Sequence, residues 1–146
     1  MLTLLNKVEA GSYKTLYNNA ETTSKSFKDV DITSKTLAEL YEFTKSGGAY
    51  DKYSKGIRKS TKKATPLGKY QIVGQTLKDV ATALELPDDT MFTPEIQDKM
   101  FIYLLQQRLK KGGTLAEKRT QLRNEWEGLN NVSDTELDEA IKLIAS

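Results

Sequence analysis

The 146-residue chain has no cysteine and no histidine. This excludes disulfides, thiolate chemistry, zinc sites built on Cys or His, and every nucleophile that depends on an imidazole base. Any catalysis therefore falls to carboxylates, tyrosines, lysines and amides. Long apolar runs are missing as well, and none approaches the ~20 residues of a membrane-crossing helix. The opening Met1-Leu-Thr-Leu-Leu is too short, and Glu9 follows too soon, for a secretory leader. Activity outside the cytoplasm would then need some other means of delivery. We find no internal repeat and no linker, so residues 1–146 are expected to form a single domain.

What the chain does contain is charge, unevenly placed. Residues 45–78 carry nine Lys or Arg against the single acid Asp51, whereas 124–146 carry six acids against Lys142. The middle of the chain suits an anionic partner and the tail does not. The densest basic stretch holds Lys52, Lys55, Arg58, Lys59, Lys62 and Lys63. It reads as a solvated flexible loop, as an attractor for an anionic cell wall, or as a phosphate-contacting segment. No DNA-reading motif accompanies it, so a nucleic-acid partner is not expected.

Most of the sequence reads as helix. Leu2, Leu5 and Val8-Glu9 share a face of a short first helix, with Gly11 at its C-terminal stop. Residues 12–33 are polar and read as loop or irregular strand, and 49–70 as a small hairpin. Thr36 with Glu39, Thr114 with Glu117, and Ser133 with Glu136 have the capping-box spacing. A helix is predicted over 75–86, closed by Pro87, and another starts at Thr93-Pro94-Glu95 and stops at Gly112-Gly113. Trp126 falls on the stripe of Leu122 and Leu129 and reads as core, while Gln97 and Asp98 read as local support for a helix start. The resulting expectation is an α+β fold, mainly α, with a helical core and a small polar or β lobe near residues 12–65.

Two pieces of this outline carry chemistry. Glu9 lies in the last turn of its helix, where the macrodipole disfavours negative charge, on a face shared with Leu2 and Leu5. A carboxyl so placed can stay protonated and serve as a general acid. The plain alternative is a solvated glutamate near a helix end. Downstream, Gly68 permits a positive φ or a close backbone approach in Gly68-Lys69-Tyr70-Gln71. Tyr70 offers an apolar plate with a hydroxyl, and Gln71 a donor and an acceptor, all suited to sugars. The alternative there is a turn followed by a half-buried tyrosine.

Four blocks occur in one order: Glu9-Ala10-Gly11, Thr65-Pro66-Leu67-Gly68-Lys69-Tyr70-Gln71, Phe92-Thr93-Pro94-Glu95-Ile96-Gln97-Asp98, and Asn124-Glu125-Trp126. The set resembles the lambda-phage lysozyme family of peptidoglycan lytic transglycosylases over most of the span from Glu9 to Trp126. The resemblance implies a lysozyme-like fold, Glu9 as general acid and base, and Gly68, Lys69, Tyr70 and Gln71 along the substrate cleft. It implies cleavage of the β-1,4 bond between N-acetylmuramic acid and N-acetylglucosamine, leaving 1,6-anhydro ends, with no cofactor and no metal. The implied partner is the glycan strand of bacterial peptidoglycan, with other virion proteins as a further class. The implied place of action is the host wall, reached from the host cytoplasm or from a virion. Lys69 stands where the family usually has arginine, and no Leu-Pro follows Trp126. A hydrolytic lysozyme would need a second carboxylate, for which Asp29, Asp31 and Asp51 are available. A structural virion or DNA-binding protein is the non-enzymatic alternative.

Overall fold

Side-chain caps open four of the seven α-helices in the computed structural model, which describes residues 12–110 and 113–145. The architecture is mainly helical, with seven α-helices and one two-stranded sheet among the described residues. By internal contacts the described chain divides into two units, residues 12–97 and 98–145.

The first unit begins with a single 3-10 turn at Tyr17–Asn19 and the short α1 (Ala20–Thr23). A second 3-10 turn at Ile32–Ser34 leads into α2 (Leu37–Phe43). Thr36 opens α2 with a complete capping box: its hydroxyl accepts from Glu39 N–H while Glu39 accepts from Thr36 N–H. Residues 12–33 are thus turns and short helices rather than strands. The apolar positions Leu16, Ala20, Phe27 and Ile32 anchor them in the core.

The expected hairpin over 49–70 is corrected by α3 (Ala49–Arg58). Helical spacing here is carried by polar residues, so it is invisible to an apolar pattern. Tyr50 and Ser54 are both buried, and Lys55 pairs with buried Asp51 one turn earlier at 2.9 Å. Tyr50 stacks on Phe43 at 5.0 Å, and Phe27 packs edge-on against Phe43, Tyr50 and Tyr53.

The sheet lies just after the lobe expected to hold it. β1 (Pro66–Leu67) pairs antiparallel with β2 (Ile72–Val73), with Pro66 opposite Val73 and Leu67 opposite Ile72. Leu16 makes an isolated bridge to Leu67 on the other side. Next comes α4 (Gly74–Ala83), shorter than the predicted 75–86 because Glu85 turns left-handed (φ 56°) before Pro87. Gly74 admits no side chain: a Cβ there would sit 2.6 Å from Thr44 Oγ1.

Helix α5 (Pro94–Leu109) starts at the proline, with Thr93 Oγ1 accepting from Ile96 N–H. Its residues from Asp98 onward belong to the second unit. There α6 (Leu115–Glu125) has a second complete capping box at Thr114 and Glu117, and α7 (Asp134–Ala145) follows a 3-10 segment at Glu127–Asn131. Trp126 is core as expected, its ring edge-on to Phe101 at 5.0 Å. Leu122, Leu129, Leu137 and Ile141 complete that core. Arg119 grips both oxygens of Asp138 at 2.6 and 2.7 Å, and Arg123 caps the 3-10 segment by donating to Leu129 O and Val132 O. No helix among the described residues is long and apolar enough to cross a membrane.

Candidate functional site

Glu9 and the rest of the predicted first helix lie outside the described residues. The segment that follows, Ser12 to Leu16, is well defined. Ser12 and Thr15 close a turn on each other, with Ser12 N–H donating to Thr15 Oγ1 at 2.8 Å and Thr15 N–H to Ser12 O at 3.1 Å. This turn is seated on the β1–β2 connection, residues Gly68 to Gln71.

Three polar groups make the seat. Gly68 N–H donates to Thr15 O at 2.8 Å. The Gln71 amide donates to Thr15 O at 3.1 Å and to Gly68 O at 2.7 Å. Gln97, arriving on the first turn of α5, donates to Tyr13 O at 3.0 Å and to Phe92 O at 3.1 Å, and accepts from Lys69 N–H at 3.2 Å. Gln97 is buried, so each of these bonds satisfies a group that would otherwise be left desolvated.

The turn is shaped around Gln97. Gly68 has φ 77°, and a Cβ there would stand 2.1 Å from Gln97 Oε1. Both the left-handed conformation and the close approach demand glycine. Gln71 is left-handed as well (φ 50°), a strained state for a non-glycine residue, held by its own two side-chain bonds.

Each predicted cleft residue has a definite place in this arrangement. Tyr70 is buried, edge-on to Tyr13 with ring centroids 6.5 Å apart. Lys69 is also buried, with Nζ 5.1 Å from the Tyr13 ring centroid and 5.8 Å from that of Tyr70. Its charge is held by two aromatic faces rather than by solvent. The two amide hydrogens of Gln71 are used internally, which leaves Oε1 as the group able to accept from a ligand. Gly68, Lys69, Tyr70 and Gln71 thus form one turn on the Tyr13 segment.

The sequence reading of Gln97 as local support holds for its bond to Phe92 O and misses the long-range one. Its amide spans 84 residues to Tyr13. Its signal in the sequence was its place in the ordered block Phe92 to Asp98, not its own surroundings.

Two of the three spare carboxylates have structural duties. Asp31 N-caps the Ile32 turn, accepting from Thr33 N–H and Oγ1 and from Ser34 Oγ, and pairs with Lys14 at 3.4 Å. The Thr33 hydroxyl bond, aided by the other donors, holds its carboxyl below the ordinary range. Asp51 is fully buried, and its Oδ2 accepts from Gly47 N–H and from Lys55, each at 2.9 Å. The Gly47 amide, with Lys55 beside it, lowers the Asp51 carboxyl. Among the described residues no three carboxylates gather into a metal-binding group. No protein-family model, no curated protein and no solved structure matches the chain.

Proposed function

We propose that the chain is a phage-type lytic transglycosylase with a lysozyme-like fold, which cleaves the β-1,4 MurNAc–GlcNAc bonds of bacterial peptidoglycan. The carrying observation is the seating of Ser12 to Leu16, the segment that directly follows Glu9 in sequence, on the Gly68–Gln71 turn. Gln97 from the Phe92–Asp98 block bonds both to Tyr13 in that segment and to Lys69 in the Thr65–Gln71 block, which supports reading the ordered blocks as one site. Glu9 donates a proton to the leaving glycosidic oxygen. The C6 hydroxyl of muramic acid then attacks the anomeric carbon and returns its proton to Glu9, closing the 1,6-anhydro ring. Gln71 Oε1 accepts a hydrogen bond from a sugar hydroxyl or N-acetyl N–H, and the Tyr13–Lys69–Tyr70 cluster braces the turn that carries it.

A one-carboxylate mechanism is favoured over hydrolysis because two of the three candidate partners are engaged elsewhere, Asp31 in a cap and Asp51 in a buried ion pair. The testing experiment is digestion of purified murein by wild-type and Glu9→Gln proteins, with mass analysis of the fragments. Wild type should release anhydromuramic ends, one water lighter than hydrolytic ends, and Glu9→Gln should lose about 10²–10⁴-fold of the rate with its fold intact. A folded Glu9→Gln variant of undiminished activity would sink the proposal. Ends labelled from heavy-oxygen water would convert it to a hydrolase.

A further inference from the structure

The basic stretch is a built surface rather than a flexible loop. Arg58 is its strut: Nε donates to Ser54 Oγ at 2.9 Å, Nη2 donates to Lys62 O at 2.6 Å, and the guanidinium lies 6.0 Å from the centre of the Tyr17 ring. Ser54 Oγ in turn donates to Ala64 O at 2.6 Å, tying both ends of the stretch to α3. The helix closes through Ser60 N–H to Lys55 O and Lys59 N–H to Gly56 O.

Within this frame the cations divide by role. Arg58 is used internally and Lys55 is paired with Asp51. Lys52, Lys59, Lys62 and Lys63 are exposed, and among the described residues none of them is ion-paired. Lys59 is the telling position. It is left-handed (φ 51°), a conformation that costs a side chain free energy and in which glycine ends helices most cheaply. A cation near a helix C-terminus recovers some of this through the macrodipole. Lys62 and Lys63 lie beyond the helix; Lys63 adds to the positive field on buried Asp51, and Lys62 has no carboxylate beside it among the described residues. Between the lysines, Gly56 leaves the backbone open and Ile57 presents an exposed apolar side chain.

We propose that Lys52, Lys59, Lys62 and Lys63 form a docking surface for a phosphodiester-linked polyol or sugar chain of the bacterial wall. Lys52 on α3 and Lys59, Lys62 and Lys63 on the pinned segment after it are complementary in charge to a chain that carries one phosphate per unit, and Gly56 with Ile57 accommodates the intervening CH groups. A single exposed apolar side chain is too little for a lipid surface. The choice of a wall polymer as the source of phosphate rests on the wall-cleaving reading above.

The test measures binding of fluorescein-labelled poly(glycerol phosphate) to three proteins: wild type, K52Q/K59Q/K62Q/K63Q, and the charge-matched control K25Q/K28Q/K99Q/K110Q. Four phosphates engaged on a flexible chain give a log–log salt slope near −2.8, from about −0.7 per phosphate, so wild-type affinity should fall about 50-fold from about 50 to 200 mM salt. The patch variant should bind at least about tenfold more weakly at low salt and lose most of that slope, while the control stays near wild type. Equal loss in the control, or none in the patch variant, overturns the proposal. So does tighter binding of duplex DNA at equal phosphate concentration, which would make this a nucleic-acid surface. Digestion of short, phosphate-free murein fragments, measured in parallel, should be the same for wild type and patch variant. If wild type cleaves no murein yet binds the polymer through these lysines, the enzymatic reading falls and the docking surface stands.

Discussion

Residues 12–97 and 98–145 are built by different rules. In the described part of the chain, every buried polar side chain lies in the first unit: Thr44, Asp51, Ser54, Thr65, Lys69 and Gln97. All five left-handed non-glycine residues are there too, Asn18, Asn19, Lys59, Gln71 and Glu85. Two of its buried oxygens, Asp51 Oδ1 and Thr65 Oγ1, have no hydrogen-bond partner among the described residues. The second unit has capped helices, a core of leucine, isoleucine and aromatic rings, and ion pairs at its surface. Its one left-handed residue among those described is Gly113, where the conformation is free. Strain and buried polarity lower stability unless something else requires them, and they concentrate where a binding or catalytic geometry is imposed. Lys69, Gln97 and left-handed Gln71 bring three of these features together at the Gly68 turn, and the others are spread through the same unit.

The strongest way to break this comparison is through Gln97. Gln97→Ala strips partners from Tyr13 O, Phe92 O and Lys69 N–H together, and at ~1–3 kcal/mol for a buried group left unpaired the total loss should be about 3 kcal/mol or more. Gly68→Ala should be comparably damaging, since its Cβ would collide with Gln97 Oε1. The double variant should be less destabilised than the sum, because removing the amide makes room for the methyl. Urea unfolding of the four proteins measures the coupling. Strict additivity would mean that the two residues are not the fitted pair that the geometry describes.

How much of this was legible in the sequence follows the same division. The second unit was largely readable, since capping boxes and a leucine stripe are local rules, and Trp126 is buried as expected. Thr36 with Glu39 and the Pro94 helix start were readable for the same reason. Helix α3 was misread because its inward face carries Tyr50, Asp51 and Ser54, and two of those three are polar. The β pairing was placed too early because Thr, Ser and Asn in residues 12–33 form turns as readily as strands. The Gly68 turn was legible as a positive-φ site, but its partners were not. Gln71 reaches Thr15 across 56 residues and Gln97 reaches Tyr13 across 84, and no local pattern encodes such pairings.

A smaller effect sharpens the contrast through two aspartates. Both Asp51 and Asp134 have lowered carboxyl pKa values, Asp51 through the Gly47 amide and then Lys55, Asp134 through Arg123 and then Arg119. A carboxyl whose folded pKa is depressed contributes stability that is fully present above its unfolded value, near 3.8, and is lost as pH falls through the folded value. Asp51→Asn and Asp134→Asn should therefore each lower Tm at pH 7 and flatten its decline below about pH 4. They should differ in salt response. The Asp134 side chain is 65% exposed and that of Asp51 is 0% exposed, so ~1 M salt should erase most of the Asp134→Asn effect and little of the Asp51→Asn effect. Equal screening of both in thermal melts would mean that Asp51 behaves as a surface residue.

The smallest prediction asks where the two units should agree. Thr36 and Thr114 make capping boxes of matching geometry, each hydroxyl accepting from the residue at N3 at 3.2 Å. Replacing either by Ala should cost about 1 kcal/mol, the usual loss when a helix N-terminal N–H is left without its acceptor. Thr36 has additional surroundings: it bridges to Met91, and Leu37 N–H donates to Thr90 O. These are backbone contacts, which alanine preserves, so they should not raise the cost. The residues lie in separate units, and the double variant should equal the sum within about 0.5 kcal/mol. Denaturant midpoints of the two singles and the double decide the matter. A markedly larger loss for Thr36→Ala would show that even local capping in 12–97 is coupled to the buried polar framework, extending the contrast to the one feature in which the two units look alike.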